Sequence, residues 1–496
     1  MRRALAALLG LLLLAATPLA PPQDVAKRSP ALAEALAAAP AGGRLVAWVF
    51  FTDKGVSAEA RAVQARGLMT PRAASRRQVR GRVASATVED LPVVAAYVDR
   101  VAAMVGRVRQ RSRWLNAVSV EATAVQLEAV ETLPFVARLD LVRRYRRRAS
   151  EPVQAEPERA ARGSSPASAA RARSTFALDY GTSLGQLAQI GVPAVHDLGF
   201  HGEGVVVAVF DAGFSNLNHE VFSSLRIVAA HDFVNGDDDV ADGADQGEGS
   251  HGTMTLSVLG GLQEGQLVGP AFAADFILAK TENTDSETPV EEDNWAAAAE
   301  WAESLGADVI SSSLGYLDFD SPFPSYSFRD MNGQTAISTR AAEMAADRGV
   351  AVVNSAGNSG FDATHNTLGA PADGPHVLAV AAVGPSGTRA SFSSVGPSAD
   401  GRIKPDLAAQ GQSVKVAFPG TVNRYGTASG TSFSCPLTAG VVALLIEINP
   451  GAGVDDVAGV LRATASQASA PDNLLGWGLV NARAAALGWL PAAASR

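Results

Sequence analysis

Four runs in the C-terminal part of the chain, Val205–Phe210, Val309–Ser312, Val350–Asn354 and Val377–Val383, are short, apolar and non-alternating. Strands that read this way are covered on both faces. Helical runs lie between or after them, at Trp295–Leu305, Thr339–Arg348 and Thr431–Ile448. The succession predicts an α/β fold, a mostly parallel sheet with helices on both faces. In such sheets functional groups gather outside the carboxyl ends of the strands.

A chain of 496 residues is too long for one ordinary domain. Arg2-Arg3 followed by the apolar run Ala4–Ala16 has the layout of a secretory signal peptide, expected over residues 1–20, and falls short of the roughly 20 apolar residues of a membrane span. Residues 21–142 are expected to form a small α+β domain. In it, Arg44–Thr52 reads as a buried strand, Leu91–Ala103 as a helix, Trp114–Ala122 as a strand and Phe135–Val142 as a last strand. Thr123 and Gln126 have the spacing of a capping box. Residues 143–173 begin with the arginine-rich run Arg143–Arg148 and continue in Ala, Ser, Pro and Glu, so they read as an exposed, protease-sensitive linker. Residues 174–496 hold the α/β pattern and are expected to form one domain, with no accessory domain expected after it.

Charge divides at the same place. Residues 1–173 carry 28 Lys/Arg against 14 Asp/Glu, a balance of +14, and residues 174–496 carry 13 against 36, a balance of −23. The acidic part repels phosphates, which argues against a nucleic-acid partner, and opposite signs favour attraction between the two parts. Cys435 is the sole cysteine, so no intramolecular disulfide forms and thiolate metal clusters are excluded.

Asp211 follows the first apolar strand directly, in Asp211-Ala-Gly213. His251 stands in Ser250-His-Gly-Thr253, at the start of a helical run. Asn358 stands in Ala356-Gly-Asn358 after the strand at 350–354, and Ser432 in Gly430-Thr-Ser432 at the start of Thr431–Ile448. Taken singly, these read equally as a turn aspartate, an isolated histidine, a turn asparagine and a helix-cap serine. Ser432 does not lie in a Gly-x-Ser-x-Gly elbow. Of the seven histidines only His251 has such a setting, and no pair has metal-ligand spacing.

In this order the four motifs resemble the subtilisin-like serine protease family (peptidase S8, subtilase). Ser313-Leu314-Gly315 is similar to the family's substrate-binding strand, and Lys404–Ala409 is a further match. The resemblance spans about residues 200–484. It implies a serine endopeptidase with Ser432 as nucleophile, His251 as general base and Asp211 orienting it, while Asn358 and the Ser432 N–H hold the oxyanion. It also implies that Ser313, Leu314 and Gly315 pair with an extended polypeptide substrate, with Ala356 and Gly357 lining the pocket. The N-terminal α+β domain is then expected to be a propeptide that inhibits the enzyme until cut, in a secreted or periplasmic protein that meets no membrane after signal cleavage.

The chain departs from the family at Ala212, at Met254 and over Phe433-Ser-Cys-Pro436, all neighbours of the triad. Cys435 is expected to be a small buried residue. An insert between Gly315 and Gly349, with Asp318, Phe319, Asp320, Tyr326 and Asp330–Gly333, is expected to shape the cleft rim. Like Asp237–Asp245, it is oxygen-rich enough for structural calcium, but both read as solvated acidic loops, so no metal ligand is assigned and no cofactor is expected in catalysis.

Overall fold

The computed structural model describes residues 27–55, 67–142, 154–155, 176–241, 249–283, 290–317 and 325–490. The signal-like segment, the arginine run 143–148, most of the expected linker, Asp245 and Asp318–Asp320 lie outside the described residues.

The N-terminal unit comprises α1 (Pro30–Ala38), β1 (Arg44–Phe51), α2 (Pro71–Arg80), α3 (Ala95–Ala102), β2 (Arg107–Ser112), β3 (Ala117–Thr123), α4 (Ala124–Glu131) and β4 (Val136–Leu141). Its antiparallel sheet has the order β2-β3-β1-β4. Leu45, Ala47, Val49 and Phe51 of β1 join the unit's own core, beneath Leu32, Val98 and Leu127 of the helices. Val46, Trp48 and Phe50 point the other way, into a core shared with the C-terminal unit. Burial on both faces explains why β1 is apolar from Leu45 to Phe51.

Sequence and structure differ in three places here. The helix expected from Leu91 begins at Ala95, because Val88–Asp90 form a separate 3₁₀ turn that Leu91 closes. The strand expected from Trp114 begins at Ala117, because 113–116 make the turn between β2 and β3, with Asn116 at φ 50°. Strand β2 has a polar sequence and pairs with β3, while side chains such as Gln110 meet α8 of the other unit. The capping box of α4 is present: Thr123 N–H donates to Gln126 at 2.9 Å and Gln126 N–H to Thr123 Oγ1 at 3.4 Å.

Strand β5 (Gln154–Ala155) follows, and the C-terminal unit starts with α5 (Leu184–Gln189) and α6 (Val192–His196). Then come β6 (Val206–Asp211), β7 (Arg226–Asp232), α7 (His251–Gly260), the short β8 (Leu262–Gln263) and β9 (Leu267–Val268), and β10 (Asp275–Lys280). Next are α8 (Val290–Leu305), β11 (Val309–Ser312), α9 (Ile337–Asp347), β12 (Ala351–Ser355), β13 (Val377–Val383) and β14 (Leu407–Gln410). The chain closes with β15 (Val414–Ala417), β16 (Tyr425–Ala428), α10 (Thr431–Ile448), α11 (Val454–Thr464) and α12 (Ala482–Trp489).

Seven strands form one parallel sheet in the order β14-β13-β12-β11-β6-β10-β7. Val207 and Val209 of β6 face the core under α7 and α10, whereas Val206, Ala208 and Phe210 face α8 and α9. From β6 the chain passes to the edge strand β7, returns to β10 beside β6, and then crosses to β11 and on outward to β14. The order reverses between β6 and β11, which makes the carboxyl ends of these two strands the natural site. Helix α10 is long and apolar enough to cross a bilayer, yet 89% of it is buried inside the protein.

The N-terminal sheet lies on α8. Gln110 donates to Asn294 at 2.8 Å, and Arg113 and Trp114 N–H groups donate to Glu300 at 3.0 and 3.2 Å. Ser119 donates to Asp293. Burial pushes the Asp293 carboxyl up to about 8, with Glu292 adding to the rise and Ser119, Trp48 and Arg109 opposing it. Burial raises Glu300 as well. Once the units separate, both carboxyls meet water and return toward the ordinary value of about 4. A pKa raised in the docked state means that docking takes up protons. It is strongest below about pH 4 and weakens as pH rises toward 8. Intrinsic-rate-corrected hydrogen exchange of β2 and β3 should therefore be faster at pH 8 than at pH 5, by about tenfold or more. Asp293→Asn should flatten that dependence. Equal protection at both pH values in the parent chain would contradict the assignment.

Candidate active site

Asp211 ends the central strand β6 and is fully buried. Its Oδ1 accepts from His251 Nδ1 at 2.6 Å and from Ala212 N–H at 2.7 Å, and its Oδ2 accepts from Thr255 Oγ1 at 2.8 Å. His251 is the first residue of α7, and Thr255, four positions on, lies on the same helix face. Two donors on one helix thus grip one carboxylate. Helix α7 comes this close because Gly252 has no side chain: a Cβ there would fall 2.4 Å from Gly213 O and 3.0 Å from Asp211 Cβ.

Ser432 is the second residue of α10, where the positive end of the helix dipole favours negative charge. Its Oγ donates to Ser313 O at 3.3 Å, and Ser313 Oγ donates back to Ser432 O at 2.8 Å. The nucleophile candidate is thereby tied to the segment leaving β11. Phe433 packs its ring 5.7 Å from that of His251.

Asn358 reaches the same helix start. Its Oδ1 accepts from Thr431 N–H and Thr431 Oγ1, each at 2.9 Å. A backbone N–H only donates, so this contact fixes the amide oxygen on Thr431 and turns the NH₂ away from it. Thr431 Oγ1 in turn accepts from Gly357 N–H at 3.2 Å. Gly357 has φ 113°, and a Cβ there would meet Ser394 Oγ at 2.8 Å, so the turn requires glycine.

Ser313–Gly315 continue β11 outside any strand ladder. Leu314 O is held from behind by Asn354 Nδ2 at 2.9 Å and Ser355 Oγ at 3.0 Å. Ala356 is buried behind this segment. A cavity of about 250 Å³ opens beside Ser359, the neighbour of Asn358, with Tyr326 and Phe328 of the insert and Phe361 and His365 among its lining. Phe328, Phe361 and His365 were not legible beforehand, because the two segments that build this wall, around Phe328 and around Phe361, lie more than 30 positions apart. Thr255 and Thr431 were equally silent, though the first stands at helical spacing from His251.

Cys435 is buried, with Sγ 3.4 Å from both Ser312 O and Val353 O, and burial pushes its thiol up to about 12. Among the described residues, no three His, Cys, Asp or Glu side chains converge in a way that would hold a metal ion.

Residues 202–478 match the model of the subtilase family (Peptidase_S8), and residues 46–157 match a peptidase S8 propeptide domain described for Bacteroidota. The chain is 32% identical to subtilisin BL of Lederbergia lenta over 299 residues, 60% of this chain and 97% of that one. It is 31% identical to subtilisin E of Bacillus subtilis (strain 168) over 303 residues, 60% of this chain and 70% of that one. Its fold is similar to the crystal structure of fervidolysin from Fervidobacterium pennivorans, with TM-score 0.62 and 22% identity, covering 90% of this chain and 62% of the other.

Two glycine substitutions test the packing at the site. Gly252→Ala should lower unfolding stability by about 1–3 kcal/mol, because α7 must retreat from β6. Gly459→Ala, exposed within α11 with nothing within 4 Å of the new methyl, should raise it by roughly 0.5–1 kcal/mol. Denaturant titration of both variants checks this, and equal shifts would contradict the close approach.

Proposed function

The chain belongs to the subtilase family, peptidase S8, and is a serine endopeptidase with an N-terminal propeptide domain; on that premise we propose that Asp211, His251 and Ser432 are its catalytic triad and Asn358 its oxyanion donor. The reading rests above all on the 2.6 Å contact between buried Asp211 and His251 Nδ1. A carboxylate on Nδ1–H selects the tautomer with a basic Nε2 and stabilises the imidazolium that forms when His251 takes a proton.

In the first half-reaction Ser432 Oγ adds to the scissile carbonyl carbon while its proton passes to His251 Nε2. The carbonyl π pair moves onto oxygen, and Asn358 Nδ2–H with the Ser432 N–H stabilises that oxyanion. Collapse expels the amine, which takes the proton from His251, and leaves an acyl ester on Ser432. Water then repeats the sequence, giving its proton to His251 and releasing the carboxylic acid and free Ser432. The steps use only side chains, backbone and water, and structural calcium has no assigned ligands.

Substrates are polypeptides lying extended along Ser313–Gly315, with Ala356 and Gly357 beside the residue at the cut. Residues 1–20 act as an export signal, giving a secreted or periplasmic enzyme. Residues 21–142 form the inhibitory propeptide, and cleavage in 143–173 matures it. The pairing of β5 with β16, the strand that leads into Ser432, supports a chain that passes the cleft before maturation.

A fluorophosphonate probe should label Ser432 of the mature protein. Ser432→Ala should abolish labelling and reduce casein hydrolysis by up to about 10⁶-fold, the loss known in this family when the nucleophile is removed. More than a tenth of parental activity would overturn the assignment. Asn358→Ala should lower kcat by about 10²–10³, the range known in this family for loss of one oxyanion donor, with KM nearly unchanged. A large rise in KM at constant kcat would make Asn358 a substrate-binding residue instead.

A further inference from the structure

Helix α2 interrupts the propeptide between β1 and α3 and lies apart from its sheet. Arg72, Arg76 and Arg80 recur at four-residue spacing and so share one helix face, with Arg77 beside them. The buried residues of α2 are Ala73, Arg76 and Arg77, while its one large apolar side chain, Val79, is exposed. Apolar burial therefore contributes little to holding this helix in place.

Its partners are at the amino-terminal end of the parallel sheet. Arg72 and Arg80 both pair with Asp308, the residue before β11, and Arg72 also donates to Gly204 O at 2.8 Å, just before β6. Asp211 and Ser313 sit at the opposite ends of those strands, about 17 Å away at the rise of a β-strand.

The contacts finish two helices of the C-terminal unit. The last carbonyls of a helix lack intrahelical donors, and its C-terminus repels negative charge. Helix α8 ends with Glu303 in its last turn and no basic residue there. Thr70 N–H and Oγ1 donate to Ser304 O at 3.1 and 3.0 Å, Arg72 Nε donates to Gly306 O at 3.0 Å, and Arg76 Nη1 donates to Ala307 O at 2.6 Å. The Glu303 carboxylate accepts from Arg76 and, at 2.8 Å twice, from Arg77. Helix α9 is treated alike: Val83 N–H donates to Asp347 O at 2.8 Å and Arg76 Nε to Arg348 O at 3.3 Å. Six donor groups of residues 70–83 thus serve carbonyls at or just beyond the C-terminal ends of helices that belong to the enzyme.

We propose that α2 with its flanking residues is a second anchor of the propeptide, which grips an arginine-binding socket at Glu303–Asp308 remote from the cleft. This inference rests on the propeptide reading above. Scission beside the cleft then leaves a non-covalent complex, not free enzyme, and the mature enzyme carries a socket for an arginine-striped helix. Because the central pairs are buried, salt slows encounter of the two parts without loosening the anchor.

Two measurements test this. In the full-length Ser432→Ala chain, the amides of Thr70 and Val83 should exchange within about tenfold of the β1–β3 amides. Exchange at free-loop rates would overturn the anchor, and this test needs no catalysis, so it stands apart from the triad assignment. In the processed parent protein, the fragment bearing α2 should co-elute with the catalytic unit at 0.15 and at 1 M salt. Arg72→Gln/Arg76→Gln should speed its release about tenfold or more while leaving kcat and KM of the freed enzyme unchanged. Where the double variant does not fold, Arg72→Lys, which keeps charge but loses the guanidinium fork, should release faster than the parent. Equal release rates would refute the proposal.

Discussion

The site depends on burying one carboxylate at the end of the central strand. An ionised carboxylate removed from water is tolerated only when donors replace its hydration. Asp211 receives three, from its own successor's backbone and from two side chains of a single helix. That demand sets the position of α7, and the position of α7 sets what may stand at residue 252. Helix α10 is placed by a second condition, the exchange of hydrogen bonds between Ser313 and Ser432. The site is therefore a consequence of topology: β6 and β11 are neighbours at the point where the strand order reverses.

The two units are joined by contacts of different kinds. Across the middle, Val46, Trp48 and Phe50 enter the same core as Trp295 and Ile310. Along α8 the contacts are polar, and at the far end of the sheet they are ionic. Carboxylates dominate one partner and arginines the other, which gives the opposite net charges of the two halves a structural location. An interface so mixed has strong orientation, since the apolar part resists water while the paired charges fix the register.

The large apolar strands and α10 were legible because burial on both faces leaves a continuous apolar record in a sequence. Asp211, His251, Asn358 and Ser432 were legible by their order and by the glycines beside them. What stayed hidden had partners distant in sequence. Strand β2, with three arginines in six residues, reads as a loop when taken alone, and becomes a strand by pairing with β3 and lying on α8. The stripe Arg72, Arg76, Arg80 was visible as spacing. Arginines are rarely buried without a partner, and the partners here, Glu303 and Asp308, lie more than 220 positions further along the chain. Thr255 shows the same limit at close range: helical spacing put it beside His251, but only the fold shows that it serves Asp211.

The residues flanking Ser432 have a further consequence, for chemical durability. Phe433 follows Ser432 directly, at one of the places where the chain departs from the family pattern, and its ring packs against His251. A phenyl ring has no thioether to convert into a polar sulfoxide. Two residues later, the chain's sole thiol is enclosed and remains protonated at any ordinary pH, so it offers no thiolate to an oxidant. Along the helix, the immediate neighbours of Ser432 thus offer an oxidant only a phenyl ring, a hydroxyl and a shielded thiol.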